Sequence, residues 1–74
     1  MQITVKLFAT FRIGRFTIED REYPEGTTVG QIVRELEIPE SELGILMVNS
    51  RHVGPERVLA DGETLAIFPL VGGG

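Results

Sequence analysis

Residues 2–8 alternate strictly. Ile3, Val5 and Leu7 fall on one side of an extended chain; Gln2, Thr4, Lys6 and Phe8 fall on the other. Period-two alternation with β-branched residues predicts a strand. Residues 9–14 lose the alternation, and Gly14 supplies a turn residue. Residues 15–23 resume it, with Phe16 and Ile18 on one face and Arg15, Thr17 and Glu19 on the other. The first two segments therefore read as a hairpin with a long connection. Pro24-Glu25-Gly26 is a turn signal. Thr28, followed three residues later by Gln31, has the spacing of a capping box. Val29, Ile32, Val33 and Leu36 then recur at the spacing of a helix stripe, and Pro39 ends that helix at or before Ile38. Ile45–Val48 is a short apolar run that reads as a buried strand, with Arg51–Val53 as its hairpin partner beyond Asn49-Ser50. Asp61-Gly62 is a tight turn into a last strand, Thr64–Phe68, which sends Leu65 and Ile67 one way and Ala66 and Phe68 the other.

The order is strand, strand, helix, strand, short strand, strand. One helix covers only one face of a sheet, so it is expected on the face that carries Ile3, Val5, Leu7, Leu65 and Ile67. The long passage between the first and last strands permits the crossover that a parallel pair requires. These features define an α+β class, a β-grasp sheet of four to five strands whose first and last strands lie side by side and parallel. A ferredoxin-like arrangement needs a second helix, and none is found. The expected organisation is one β-grasp domain over residues 1–69 and a flexible C-terminal diglycine tail over residues 70–74.

Composition narrows the chemistry. The 74 residues carry 7 Lys and Arg against 11 Asp and Glu, a net charge of −4. The cations are scattered rather than gathered into a stripe, which argues against nucleic acid as a partner. No apolar run approaches the roughly 20 residues of a membrane span, and the chain opens on a strand pattern rather than on a secretory signal. Cysteine is absent, which fits a reducing cytoplasm and removes thiolate metal ligands and a cysteine nucleophile together. His52 is the single histidine, so no metal set is expected. Ser41 and Ser50 have no visible base, and Glu40 and Glu42 sit in a charged run rather than in an apolar pocket that would raise a carboxyl pKa. No catalytic residue is assigned.

The remaining chemical group is the α-carboxylate of Gly74. After Pro69 the chain reads Leu70, Val71, Gly72, Gly73, Gly74. Extended, five residues reach about 17 Å from the domain at roughly 3.4 Å each. A carboxylate becomes an acyl donor once adenylated, and a sulfur nucleophile that displaces AMP leaves a thiocarboxylate. Glycine suits a narrow enzyme channel because it presents bare backbone; ordering such a segment on binding costs roughly 1–2 kcal/mol per residue.

At this point the chain resembles the MoaD/ThiS family of ubiquitin-like sulfur carriers. The resemblance is carried by Val5-Lys6-Leu7-Phe8-Ala9, by Val48-Asn49, by Leu59-Ala60-Asp61-Gly62-Glu63, and by Ile67-Phe68-Pro69 before the terminal glycines. It implies a β-grasp fold, a carrier that binds no cofactor itself, and adenylation at the expense of Mg-ATP by a ubiquitin-activating-type enzyme. Gly73 and Gly74 would be the sulfur-carrying terminus, with Leu70, Val71 and Gly72 inserted into a partner. The partners implied are the molybdopterin synthase large subunit in the MoaD branch and thiazole synthase in the ThiS branch. Lys6-Leu7-Phe8-Ala9 and Phe68-Pro69 are more like MoaD; the Val-Gly-Gly-Gly ending also suits ThiS, and a MoaD-like second proline is replaced by Leu70. The family further implies a docking face away from the helix, with Phe8, Phe68, Pro69 and His52 at the interface and His52 standing where an apolar residue is usual. The residues alone allow two readings of Phe8 and Phe68: an exposed aromatic patch flanked by Lys6 and Arg12, or a minor core closed by Phe11. A protein modifier that forms an isopeptide bond is the alternative use of the same terminus, and a plain interaction module is the alternative of another class.

Overall fold

The alternation at the start of the chain becomes β1, Gln2–Leu7. It is the second strand of a five-stranded mixed sheet of order β2-β1-β5-β3-β4 in a computed structural model that describes residues 1–70. The other strands are β2 (Ile18–Glu22), β3 (Leu43–Val48), β4 (Arg51–His52) and β5 (Thr64–Pro69), and the one α-helix among these residues is α1, Val29–Glu35. β1 pairs with β5 in parallel, Val5 beside Leu65 and Leu7 beside Ile67. β2 and β3 flank that pair antiparallel. This is the expected β-grasp arrangement.

The five residues expected to face the helix, Ile3, Val5, Leu7, Leu65 and Ile67, are fully buried and share one cluster with Val29, Ile32 and Val33 of α1. Each such side chain contributes about 1.5–3 kcal/mol through loss of apolar contact with water. The helix begins at a capping box: the Gln31 amide donates to Thr28 Oγ1 at 3.2 Å and the Thr28 amide to Gln31 Oε1 at 2.8 Å. Its first two amides donate outside the helix, Val29 to the Arg57 carbonyl at 3.0 Å and Gly30 to the Pro55 carbonyl at 2.7 Å. The loop before β5 thus takes up donors that a helix start leaves unpaired. Asn49 and Ser50, with φ of 49° and 68°, make the β3–β4 connection, a two-residue turn whose positive φ angles match the twist of a hairpin.

Two expectations need correction. The second strand starts at Ile18, not at residue 15. Ile18 pairs with Lys6 and is exposed, whereas Phe16 lies before the strand and packs against the core. The cause is the connection: a 3-10 turn at Ala9–Arg12 sends Phe11 inward to 2% exposure. Arg15 then ties the loop to the end of α1 by donating to the carbonyls of Phe11, Leu36 and Glu37. Phe11 is therefore a core residue, not a lid for Phe8 and Phe68.

The inner side of edge strand β2 is closed by a polar lattice. Arg21 donates to Tyr23 Oη at 2.8 Å and Tyr23 Oη donates to Glu35 at 2.6 Å. Arg21 also pairs with Glu19 and lies over the Phe16 ring at 5.3 Å. Burial first, then the bond to Glu35, pushes the Tyr23 phenol from 10.0 up to about 12.

Phe11→Ala should lower stability by about 3–5 kcal/mol, as for other buried phenylalanines, read as a shift in the urea midpoint. The fold favours the protonated phenol of Tyr23, so its contribution is intact below pH 10.0 and is lost as pH rises through about 12. Unfolding titrations across that window should show a decline in the native chain that Tyr23→Phe lacks.

Candidate functional site: the helix-free face and the chain exit

β1 and β5 run in the same direction, so the residues just beyond Leu7 and Ile67 emerge together. Phe8 and Phe68 are those residues. Their rings stack with centroids 4.1 Å apart and planes 11° from parallel. Neither belongs to the buried core cluster, and both are half-buried on the face opposite α1. Ala9, at φ 51°, turns the chain sharply away just beyond the stack. Arg12 then returns to it: its Nε donates to the Leu7 carbonyl at 2.8 Å and its guanidinium stands 5.5 Å over the Phe8 ring.

The stack is a ridge between two shallow depressions. One, of about 390 Å³, is lined by Lys6, Met47, Asn49, Ser50, Thr64 and Ala66 together with both phenylalanines. The other, of about 360 Å³, is lined by Ala9, Thr10, Ile45, Pro69 and Leu70 with the same two rings. Ile45 is 40% and Leu70 59% exposed. An apolar surface of this kind, rimmed by cationic Lys6 and Arg12, suits a protein partner more than a small ligand. His52 stands at the sheet edge, exposed, and its register opposite Met47 puts it on this same face.

Pro69 is the last residue of β5 and pairs with Leu43. The Leu70 amide donates to the Glu42 carbonyl at 2.9 Å, so the main chain is held as far as Leu70. Val71, Gly72, Gly73 and Gly74 lie outside the described residues.

Phe8, Phe68, Pro69 and Leu70 are thus brought to one end of the sheet, with His52 across it on the β4 edge. Met47, Ile45 and Asn49 were not anticipated on this face. The run Ile45–Val48 has no alternation to reveal which side chains point outward; only pairing with β5 does. The nearest signal was the asparagine, which bonds both backbone groups of Thr64 through its amide and its side chain. Among the described residues no three potential metal ligands gather, and no helix is long and apolar enough to cross a membrane.

A five-stranded mixed sheet around one helix, with its parallel central pair bringing Leu70 beside an aromatic face, defines the ubiquitin-like β-grasp class. The chain belongs to the ThiS family, whose model matches residues 5–74, and its fold is that of the MoaD/ThiS sulfur carriers. Among solved structures it is similar to a putative molybdopterin converting factor subunit 1 from Pyrococcus furiosus. That likeness has 29% identity and a TM-score of 0.77, over 93% of this chain and 97% of the other. SAMP1 from Haloferax volcanii shares the fold at 22% identity and a TM-score of 0.75, over 100% of each chain. So does Urm1 from Trypanosoma brucei, at 20% identity and a TM-score of 0.73, over 99% of this chain and 95% of that one. No curated protein sequence matches the chain.

A double-mutant cycle of Phe8→Ala and Phe68→Ala should return a coupling of about 0.5–1.5 kcal/mol, the range for stacked aromatic pairs, measured by denaturant unfolding.

Proposed function

We propose that this chain carries sulfur for molybdopterin synthesis. An activating enzyme adenylates the Gly74 carboxylate, sulfide equivalents displace AMP, and the resulting thiocarboxylate is delivered to a synthase subunit that binds the helix-free face. The observation that carries the reading is the terminus itself: a diglycine end placed directly after a β-grasp domain of the ThiS family. The 29% identity to a putative molybdopterin converting factor subunit 1 over nearly all of both chains favours this branch. A solved complex of subunits 1 and 2 of the molybdopterin-converting factor from Helicobacter pylori, alike in fold at 16% identity, is a precedent for such a pairing. The chemistry asks little of the carrier beyond presentation. The adenylate, the sulfur donor and the acceptor belong to partners, so a soluble cytoplasmic body without catalytic groups is sufficient.

The thiazole branch is the second reading, because the family model that matches is ThiS. The two readings share the thiocarboxylate and differ in the acceptor.

Incubation with a ubiquitin-activating-type adenylating enzyme, Mg-ATP and a sulfur donor should replace one oxygen by sulfur at Gly74, seen by intact-mass spectrometry. Deleting Gly73 and Gly74 should abolish the change. An unaltered mass alongside a demonstrably active enzyme would remove the proposal. Rescue of a thiamine-requiring strain, without rescue of a molybdopterin-deficient one, would move the chain to the second branch.

A further inference from the structure

The end of β3 contains a feature that the carrier reading does not by itself explain. Leu43 pairs with Pro69 and Ile45 with Phe68, so β3 spends one more residue than β5 over this stretch. The extra residue is Gly44. It forms a β-bulge, a device that bends a strand and re-aims the residues beside it. The bulge faces the place where β5 ends.

Gly44 is also where a side chain does not fit. A Cβ at this position would lie 2.5 Å from the Pro69 carbonyl oxygen, 2.6 Å from its carbonyl carbon and 2.8 Å from the Leu70 nitrogen. All three atoms are backbone, so no rotamer change relieves the overlap. The φ of Gly44 is not in the left-handed region, hence the requirement is space rather than backbone freedom. One residue further on, the Leu70 amide is held by the Glu42 carbonyl at 2.9 Å. The Pro69–Leu70 peptide is therefore seated in a slot, with Gly44 as its floor and Glu42 as its latch.

We infer that Gly44 is a positioning residue for the carrier terminus: its bare backbone lets Pro69–Leu70 lie against β3, which fixes where residues 71–74 leave the domain relative to the Phe8–Phe68 face. The inference rests on the carrier reading. A partner that grips this face meets the terminus at a set distance from its grip. A methyl group at residue 44 lifts Pro69 and Leu70 off β3 and changes that distance while the Phe8–Phe68 stack and the core stay as they were.

The test compares Gly44→Ala with the native full-length chain in two arms. In the first, ATP–pyrophosphate exchange catalysed by the adenylating enzyme is measured against carrier concentration. kcat should fall about tenfold to a hundredfold, the scale of an ångström of misplacement, while KM, which reports docking of the body, stays within about twofold. In the second arm, amide hydrogen exchange should show Leu70 losing protection while Val5 and Leu65 keep theirs. A kcat within about twofold of native, or an unchanged Leu70 amide, overturns the inference. Should Gly44→Ala lose core protection as well, Pro69→Gly decides: it loosens the same segment without filling the slot, and a fall in kcat is again required, together with lost protection at Leu70 while Val5 and Leu65 keep theirs. If the native chain itself supports no exchange with an enzyme active on its own carrier, the carrier reading falls. The Leu70 amide then still decides whether Gly44 seats the segment.

Discussion

The parallel pairing of β1 with β5 is the constraint on which the rest of this molecule depends. It places Ile3, Val5 and Leu7 beside Leu65 and Ile67 at the centre of the sheet, and these five residues are the floor on which α1 packs. The same direction of travel sends the outward residues Phe8 and Phe68 to one end of the sheet, where they stack. β5 is the last strand among the described residues, so Pro69 and Leu70 lie at that end too. An antiparallel pairing of the same strands would bury a similar core, yet would put the aromatic of β1 at the opposite end from Pro69 and Leu70. The core, the aromatic face and the position of Pro69 and Leu70 are thus consequences of one register.

That register also decides how much of the molecule was legible in the sequence. The alternation in residues 2–7 and 64–68 specified both the buried side and the outward side of the central strands. Phe8, Phe68 and Lys6 could therefore be grouped from the sequence alone. The capping box was readable because its two members act within four residues of each other, Thr28 on Gln31 and the reverse. The features missed were those decided by distant partners. Phe11 sits in a stretch without periodicity, and only the 3-10 turn determines that its ring faces the core. Met47 and Ile45 belong to an apolar run whose outward members are selected by β5. Gly44 lies just before the expected strand Ile45–Val48 and carries no local signal; its meaning depends on Pro69, 25 positions later in the chain.

Polar chemistry in the described part of the molecule is spent on structure. Arg57 forks onto Glu63 at 2.9 and 2.8 Å, and Glu63 accepts the Ala60 amide as well. The Arg57 guanidinium, more than that amide, holds the Glu63 carboxyl below its usual range. The pair stiffens the turn that launches β5. Arg21, Tyr23 and Glu35 close the β2 edge against the helix. No buried side-chain nitrogen or oxygen among the described residues is left without a partner. In enzymes, unsatisfied or strongly perturbed groups in a cleft mark where chemistry happens. Here the perturbed groups lie in structural lattices, away from the aromatic face.

On the carrier reading proposed above the terminus enters a partner, and entry requires residues to be ordered at roughly 1–2 kcal/mol each. Contacts made by the folded body must offset that cost. Every residue already fixed to the sheet has met its ordering cost during folding instead of at binding. Pairing of Pro69 with Leu43 and the bond from Leu70 to Glu42 extend that boundary at least as far as Leu70. They also set it directly beside Phe8, Phe68 and Ile45, the apolar surface best suited to supply the offset. Aromatic anchors contribute most when they sit at the centre of a contact that excludes water, and an exit at the margin of such a contact admits the terminus without breaking its seal. At the Gly44 bulge Leu43 still faces Pro69 although Ile45 already faces Phe68, so β3 bends beside the end of β5 without giving up the pairing. On this account the glycines at the end of the chain and the glycine in β3 serve one purpose, bare backbone at the two places where another backbone must come close.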